Sequence, residues 1–276
     1  MRITLLAPEP SGCSARSITP QVVALLEEWG VRVTTVHPEA TVTDLRRLCV
    51  DADLYIVKAS SELTLSMAAA LDGLGAVMVN PYPATARCRD KIVATRLFQA
   101  AGVPVPETYL AARPSELAPL LEGGPLVVKP HRGSKGRGVQ VVWDADELAD
   151  VAPSTGTIFA QRYLEPAGRD RKLYCMGGQL FGVKRVWPVR THEDKLGEPF
   201  TVTPELRDIA LRTAEAFGID LFGLDIIVSG GRPYVVDVNP FPGFKGVPDA
   251  ALRLADYLYD AAQRAIASRQ PSGVAG

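Results

Sequence analysis

The sequence predicts a mixed α/β protein that begins with a parallel sheet. In residues 1–86, short apolar runs alternate with helical segments, an order that favours parallel strands joined by helices. Later apolar runs come in pairs around glycine-rich turns, which is typical of hairpins. The chain has 276 residues, of which 47% are apolar, so it is long enough for two or three subdomains with a substantial core.

Composition argues against several classes of function. The net charge is -1, which gives no electrostatic basis for binding nucleic acid or an anionic membrane. The four cysteines are scattered without a CxxC pair, which argues against structural zinc and a disulfide framework and favours a reducing compartment. They are Cys13, Cys49, Cys88 and Cys175. The amino-terminal apolar run is too short for a signal peptide, so we expect a cytoplasmic protein.

Strands and helices alternate through the amino-terminal part. The predicted strands are Ile3–Leu6, Val31–Val36, Leu54–Val57 and Ala76–Val79, and the predicted helices are Pro20–Trp29, Asp44–Val50 and Leu63–Leu74. Gly30 and Gly75 follow two of these helices, where a left-handed residue stops a helix. Residues 7–19 form a loop after the first strand. Such loops hold ligands in open α/β sheets, although the composition equally fits a plain connector.

The segment Asn80-Pro-Tyr-Pro83 marks a junction with the rest of the chain. Further strands are predicted at Leu126–Lys129, Val139–Trp143, Ile158–Leu164, Lys172–Met176 and Leu180–Val186, and further helices at residues 89–101, 204–217 and 249–268. Thr203 and Pro204 provide an N-cap and a proline at the first helical position of the second of these helices. Residues 190–201 are polar and contain glycine, which predicts a mobile loop.

The most informative segment is the apolar hairpin at residues 222–239. Its two strands are interrupted by Asp225, Asp237 and Asn239. A three-residue loop, residues 230–232, would place Asp225 directly opposite Asp237. Asn239 lies two residues further on and shares their face. Two carboxylates and an amide converge unfavourably unless a cation lies between them, and oxygen ligands of this kind suit Mg²⁺ or Mn²⁺.

The same register turns Val236 and Val238 to the opposite face, into a core. An alternative for the acidic face is an exposed sheet surface that tolerates carboxylates without binding a metal.

A second candidate site is the glycine-rich loop that follows the strand Leu126–Lys129. Gly133, Gly136 and Gly138 allow backbone amides to approach phosphate oxygens, and Lys129 can hold a phosphate as a point charge. A strand follows these glycines, so the loop is neither a Walker loop nor a dinucleotide fingerprint. Glycine-rich hairpin loops are also common without a ligand.

Taken together and in order, these segments resemble the ATP-grasp family over nearly the whole chain. The motifs that carry the resemblance are Asp90-Lys91, the segment from Val128 to Val139, Gly223-Leu-Asp-Ile, and Asp237-Val-Asn-Pro-Phe-Pro-Gly243. The resemblance looks closest to RimK-like enzymes, which ligate glutamate or other amino acids to peptides. It implies an ATP-grasp fold with an N-terminal parallel-sheet (pre-ATP-grasp) domain, in which ATP lies between two α+β subdomains and Mg²⁺ bridges its phosphates.

The resemblance also implies a domain division and roles for single residues. The expected domains are a substrate-side domain (1–86), a central lid subdomain (87–160), a C-terminal subdomain with the metal site (161–268) and a disordered tail (269–276). The expected ATP-binding residues are Lys91, Lys129, Ser134, Lys135, Gly136, Gln161, Arg162, Tyr163, Leu164 and Asp170, and the expected ligands of Mg²⁺ (or Mn²⁺) are Asp225, Asp237 and Asn239. Two positions depart from the family pattern, because Arg162 replaces a glutamate and Lys172 replaces an arginine.

The implied activity is ATP-dependent ligation of a carboxylate to an amine through an acyl phosphate. Arg185 is the candidate to hold the substrate carboxylate, with a surface arginine as the alternative, and Lys172 is the second catalytic candidate. The substrates would be small molecules or peptides, with no nucleic-acid or membrane partner. RimK-like proteins often assemble, so a homo-oligomer is a further option.

Two other functions remain open from the sequence. The segments 172–185 and 237–246 are also similar to inositol trisphosphate kinases, which are ATP-grasp proteins that phosphorylate a hydroxyl. A non-catalytic nucleotide-binding module is the third hypothesis, and the intact set of lysines and acids argues against it.

Overall fold

The computed structural model describes residues 1–9, 17–58, 61–133, 136–151, 156–186, 191, 194 and 196–269. Within these residues the strands form a parallel sheet of four strands, an antiparallel sheet of four and an antiparallel sheet of five. The predicted α/β class with an amino-terminal parallel sheet is confirmed. Among the helices of the described ranges, we find none with the length and apolarity to cross a membrane.

The parallel sheet occupies the amino-terminal part of the chain. Its strands are β1 (Arg2–Leu6), β2 (Arg32–Val36), β3 (Leu54–Val57) and β4 (Met78–Val79), which lie side by side in the order β2-β1-β3-β4. The helices α1 (Thr19–Glu28) and α2 (Glu62–Gly73) cover the sheet. Val22 and Leu26 of α1 pack on one face of the sheet, and Ala68 and Leu71 of α2 pack on the other.

The predicted helix at Asp44–Val50 is wrong. The structure has only a single 3₁₀ turn there, Leu45–Arg47, which Asp44 caps by accepting a hydrogen bond from the backbone N–H of Arg46 at 3.1 Å. The side chain of Leu45 is 74% exposed. Because so short a helix depends on packing an apolar face, the segment does not extend beyond one turn.

The predicted helix at residues 89–101 corresponds to α4 (Lys91–Ala100), and a further helix that was not predicted, α3 (Tyr82–Arg89), precedes it. Asp90 separates them in an extended conformation and accepts hydrogen bonds from the N–H groups of Ile92 and Val93 at 3.0 and 3.3 Å. An aspartate that satisfies the free amides of a first helical turn is a strong N-cap. The break therefore places Lys91 at the first position of a new helix.

The central sheet is antiparallel, and three of its four strands were predicted. Its strands are β5 (Thr108–Ala111), β6 (Leu126–Lys129), β7 (Gln140–Val142) and β8 (Ile158–Arg162), in the order β5-β8-β6-β7, accompanied by a 3₁₀ segment (Pro114–Gly123) and a short helix, α5 (Ala145–Ala149). Leu126, Val128, Ile158 and Ala160 face a core that includes Leu117 of the 3₁₀ segment. From the end of β6, Lys129 reaches the five-stranded sheet, and we call the space between these two sheets the cleft. The short elements β5 and α5 were not predicted.

The five-stranded sheet completes the fold. Its strands are β9 (Asp170–Met176), β10 (Gln179–Arg185), β11 (Glu198–Phe200), β12 (Leu221–Ser229) and β13 (Arg232–Asn239), in the order β11-β10-β9-β12-β13. Strand β11 lies within the segment predicted as a mobile loop. It pairs with β10 so that Phe200 lies opposite Gly182. A Cβ at Gly182 would stand 2.7 Å from the Phe200 ring, so the glycine makes this close pairing feasible.

Two further helices pack against this sheet, α6 (Pro204–Phe217) and α7 (Ala250–Arg269). Thr203 caps α6 as predicted, and its hydroxyl accepts a hydrogen bond from the N–H of Leu206 at 3.3 Å. Helix α6 ends at Gly218, which is left-handed. The tail predicted to be disordered lies outside the described residues from 270 onward, whereas Arg269 still belongs to α7.

Asn80 holds the amino-terminal domain against the five-stranded sheet. This residue is buried, and its side-chain amide donates to the carbonyls of Leu221 and Pro240 at 2.6 Å each. Leu221 begins β12 and Pro240 directly follows β13. The end of the parallel sheet is therefore fixed beside the ends of both strands of the acidic hairpin.

Candidate active site

The hairpin β12–β13 brings Asp225 and Asp237 together, as predicted, but by a different route. The turn has two residues, Gly230-Gly231, because Ser229 pairs with Arg232. Both glycines have positive φ, as a tight hairpin turn of this kind requires. A regular ladder from this turn would place Asp225 opposite residue 236. A register shift after Ile226 inserts one extra residue and restores the Asp225–Asp237 pair.

The bulge also changes which valines enter the core. Val235 and Val238 are buried, whereas Val236 is only partly buried, so the predicted core position of Val236 is wrong. Val236 is the extra residue of the bulge, and its backbone carbonyl accepts a hydrogen bond from Lys129 Nζ at 2.9 Å. The bulge therefore connects the five-stranded sheet to the end of β6.

Each carboxylate of the hairpin has a lysine beside it. Lys172 pairs with Asp225 across the β9–β12 ladder, and its ammonium donates to the Asp225 carboxylate. Lys91 Nζ lies 3.7 Å from Asp237 Oδ1. Desolvation raises the pKa of Asp237 above its usual value, Lys91 opposes this shift, and Asp225 adds to it. Two acids in such proximity favour a bound cation.

Lys91 and Lys129 converge from different elements on the same place. Lys91 starts α4, its N–H donates to the carbonyl of His131 at 2.9 Å, and its Nζ donates to the carbonyl of Gly133 at 3.1 Å. Lys129 is only 9% exposed, and burial lowers its pKa to about 8 against the opposing influence of Asp237. Two cations and two carboxylates therefore meet between the central and the five-stranded sheet.

The oxygen atoms on this face fit a hard divalent cation. Asn239 shares the face of Asp237, lies opposite Gly223, and its Oδ1 accepts from the N–H of Phe241 at 3.0 Å. The described ranges contain no group of three or more His, Cys, Asp or Glu side chains arranged to hold a metal. The predicted set of Asp225, Asp237 and Asn239 therefore offers two carboxylates and one amide, which leaves coordination positions for phosphate or water oxygens.

The side chain of Arg162 points away from this cleft. Its guanidinium donates to the carbonyls of Leu120 (at 3.0 Å) and Gly124, and lies 3.9 Å from the Glu107 carboxylate. The backbone N–H of Arg162 donates to the carbonyl of Glu107 at 2.8 Å. Arg162 therefore fastens the 3₁₀ segment to the central sheet, and only its backbone carbonyl can serve a nucleotide base.

Three further predicted ATP-binding residues, Gln161, Tyr163 and Leu164, lie at the end of β8 and directly after it. Gln161 is buried and donates to the hydroxyl of Thr108 at 3.1 Å, and the N–H of Tyr163 donates to the carbonyl of Pro125 at 2.9 Å. For the N–H of Leu164, we find no backbone acceptor in the described part of the chain. Leu164 is therefore the first amide of this segment that is available to an adenine ring.

An apolar platform on the central sheet was missed by the sequence analysis. Val127 and Val141 pair across β6 and β7, on the face opposite the buried Val142. Trp143 follows in alternation, is 59% exposed, and its ring lies 5.5 Å from that of Tyr163. The sequence signal for this platform was the alternation from Val139 to Trp143. Exposed apolar residues at every second position of a strand indicate a surface that binds a ligand or another protein.

Arg185 lies at the end of β10, which β9 separates from the acidic hairpin in the sheet. Its Nη2 donates to the hydroxyl of Tyr174 at 2.6 Å and to the carbonyl of Lys245 at 3.4 Å. Its Nε is buried, and no described residue accepts a hydrogen bond from it. A buried guanidinium N–H without an acceptor is uncommon. Tyr174, which sequence analysis missed, orients this arginine.

A family model for the RimK-like ATP-grasp domain matches residues 88–260. The chain belongs to the RimK-like ATP-grasp family. A ribosomal protein bS6--L-glutamate ligase of Salmonella paratyphi B is 30% identical over 212 residues, which cover 71% of this chain and 71% of that protein. The predicted family and the predicted enzyme class, an ATP-dependent carboxylate–amine ligase, are therefore confirmed.

Solved structures confirm the ATP-grasp fold. A RimK domain ATP-grasp protein from Sphaerobacter thermophilus superposes with a TM-score of 0.73 at 20% identity, covering 94% of this chain and 100% of that one. A D-alanine--D-alanine ligase from Bacillus anthracis superposes with a TM-score of 0.75 at 20% identity, covering 98% and 100%.

Of the remaining predicted ATP-binding residues of this ATP-grasp chain, the structure describes Asp170 and Gly136. Asp170 lies opposite Arg185 in the β9–β10 ladder, and burial together with Asp225 raises its pKa. Gly136 has a positive φ of 68°. Ser134 and Lys135 lie outside the described residues.

Proposed function

We propose that this protein uses Mg²⁺ and ATP to join the carboxylate of one amino-acid or peptide substrate to the amine of another. One observation carries the proposal. Asp225 and Asp237 face each other where Lys91 and Lys129 converge, between two sheets of an ATP-grasp fold. This charge arrangement suits a nucleotide triphosphate with its metal ion, because the lysines can neutralise phosphates while the acids hold the cation.

The nucleotide would lie along the cleft face of the central sheet. Its adenine would rest against the platform of Val127, Val141 and Trp143, with the backbone at 162–164 meeting its polar edge. Asp170 would lie toward the ribose. The phosphates would meet Lys91 and Lys129 under the loop that contains Ser134, Lys135 and Gly136. The platform supports this orientation of the nucleotide, because aromatic and apolar side chains pack well against a base.

The metal site would use Asp225, Asp237 and Asn239, with Mn²⁺ as a substitute for Mg²⁺. When bound, the ion would supply neutralisation and polarisation of phosphate oxygens. The Lys172–Asp225 ion pair occupies one of these ligands. Lys172 would therefore have to move its ammonium toward incoming phosphate or substrate oxygens before Asp225 becomes a full ligand.

The chemistry would take two steps. A carboxylate oxygen of the first substrate forms a bond to the γ-phosphorus of ATP, and the bond from this phosphorus to the bridging oxygen breaks to release ADP. The amine nitrogen of the second substrate then attacks the acyl carbon and loses a proton, and inorganic phosphate leaves. The side chains mainly position the reactants and neutralise charge. Arg185 would hold the carboxylate and later the oxyanion through the positive charge of its guanidinium.

We propose a separate role for each of three regions of the chain. Residues 1–86 would face the substrates, residues 87–160 would cover the nucleotide, and residues 161–268 would carry the metal site. Strand β8 continues to Arg162, two residues past the second boundary. The glutamate ligases among the relatives support amino-acid or peptide substrates for this chain. The cytoplasmic location and the homo-oligomer stay predictions.

The experiment that tests the proposal measures two products from the purified protein with Mg²⁺ and γ-labelled ATP. A ligase releases labelled inorganic phosphate only when a carboxylate and an amine are both present. Transfer of the label to a stable hydroxyl phosphate would instead establish a kinase. ATP binding without turnover across amino acids, peptides and polyols would establish a binding module. An Asp237→Asn variant controls for contaminating phosphatases.

A further inference from the structure

A second concave site lies outside the charged cleft, between α1 and the segment that precedes α7. Its volume is about 640 Å³, within the roughly 300–1,000 Å³ that small-molecule sites occupy. Its lining is largely apolar and includes Ile18, Leu25, Leu196, Val247, Ala250 and Leu252. Lys245 and Asp249 add one charge of each sign. The cavity therefore suits a neutral apolar group better than a carboxylate.

One short segment forms both a wall of this cavity and the support of Arg185. The carbonyl of Lys245 accepts a hydrogen bond from Arg185, and the side chain of Lys245 lines the cavity. The ring of Phe244, also in the lining, lies 5.4 Å from the ring of Tyr174, which binds Arg185 through its hydroxyl. A group in the cavity is therefore separated from the guanidinium by the thickness of one backbone segment.

Close packing makes this wall stiff. A Cβ at Gly246 would stand 2.1 Å from the carbonyl oxygen of Leu196, and Phe244 is only 1% exposed. Phe244 also adopts a positive φ of 46°, which a bulky residue holds only when its surroundings enforce it.

We propose that the cavity binds an apolar anchor residue of a peptide substrate, next to the residue whose carboxylate or amine reacts at Arg185. This inference rests on the proposed ligase function and adds to it a substrate class. The volume exceeds what a single aliphatic side chain fills, and the cavity is open on one side, so the anchor can enter while the peptide continues over the wall. An acidic side chain would lose its hydration against the apolar walls, and Asp249 in the lining would repel it.

The test compares short peptides that differ at one position. Calorimetry with ADP and Mg²⁺ present would measure the affinities of Ala-Leu-Ala, Ala-Phe-Ala and Ala-Glu-Ala for the full chain. We expect the two apolar peptides to bind more tightly than the acidic one. Leu252→Asp should weaken their binding by about tenfold or more, because it places a charge in the apolar cavity.

Leu211→Asp is the matched control, since Leu211 is also an exposed helical leucine (60% exposed, against 46% for Leu252) but lies on α6, away from the cavity. ATP affinity verifies that each variant keeps its nucleotide site. Equal affinity for all three peptides, or an equal loss in both variants, would overturn the inference. A change in particle mass in Leu252→Asp with unchanged peptide binding would show instead that the cavity is a contact between copies of the chain. These outcomes are measured as binding, so they are distinct from a failure to detect ligase turnover.

Discussion

Asp225 lies directly opposite Asp237 in the β12–β13 ladder, although the turn between the two strands is one residue shorter than that pairing requires in a regular hairpin. The bulge at Val236 makes up the difference and turns a backbone carbonyl toward Lys129. One irregularity therefore sets both the pairing of the acids and the position of a buried lysine. This arrangement concentrates charge at one place in the cleft.

Asp237→Asn should abolish ATP turnover, with a loss of roughly 100-fold or more, because it removes a charged ligand from the metal site. The fold should persist, since the amide replaces the carboxylate with the same shape. The measurement is ADP release over a range of Mg²⁺ concentrations. Asp208→Asn, an acid on α6, serves as the control. Normal ADP release by Asp237→Asn at ordinary Mg²⁺ would contradict the metal assignment.

Raising the pH through about 8 should weaken ATP binding, because burial lowers the pKa of Lys129 to about 8. Bound phosphates favour the charged ammonium, so affinity is greatest below this pKa and falls above it, by up to about tenfold per pH unit. Fluorescence titration without Mg²⁺ from about pH 7 to about pH 9.5 would measure the slope. Lys129→Arg stays charged in this range and should have a flatter profile. A slope shared by both proteins would exclude Lys129 as its origin.

Trp143→Ala should lower the affinity for ATP by about tenfold, since contact between a base and an aromatic ring contributes roughly 1–3 kcal/mol. Inorganic tripolyphosphate provides the control ligand, because it has the phosphates but no base. Its affinity should stay unchanged. Calorimetric titration measures the affinity for both ligands. An equal loss of affinity for ATP and tripolyphosphate would indicate that Trp143 supports the lid and does not contact the base.

Arg162→Ala should destabilise the protein by about 1–3 kcal/mol, because the carbonyls of Leu120 and Gly124 lose a charged donor. ATP affinity should change little, since this guanidinium points away from the cleft. Urea unfolding measures the first effect and nucleotide titration the second. Arg113→Ala, which affects an exposed arginine at the start of the same 3₁₀ segment, should have little effect on either. A large loss of ATP affinity would mean that the Arg162 side chain reaches the nucleotide.

Tyr174→Phe should lower kcat by about tenfold while the KM for ATP stays the same, because a hydroxyl that orients Arg185 is removed without disturbing the ring that packs on Phe244. Burial raises the pKa of Tyr174 to about 12, so the hydroxyl remains neutral in ordinary buffers. Steady-state kinetics with varied ATP and varied substrate would separate kcat from KM. An unchanged kcat would remove Tyr174 from the reaction centre.

Much of the fold and of the candidate site could be predicted from local signals. Alternation of strands and helices indicated the parallel sheet, and Thr203 and Gly218 marked the ends of α6 because caps act within a few residues. Asp225, Asp237 and Lys129 were visible because charged residues are conspicuous among the apolar neighbours of a predicted strand, whereas the role of Lys91 came from the resemblance to the ATP-grasp family. These features follow from short-range chemistry, and a single sequence carries them.

Tertiary structure decided the features that depend on partners distant in the chain. The short strands β5 and β11 and the direction of the Arg162 side chain follow from contacts made only after the sheets assemble. The bulge at Val236 belongs to the same class, because a bulge is stable when neighbouring elements use its displaced carbonyl, as Lys129 does here. The sequence by itself thus determined which charged residues are candidates for the site and which family the chain belongs to. Only the packing of three sheets decided how those charges are paired, oriented and buried, because burial and long-range hydrogen bonds have no local signature.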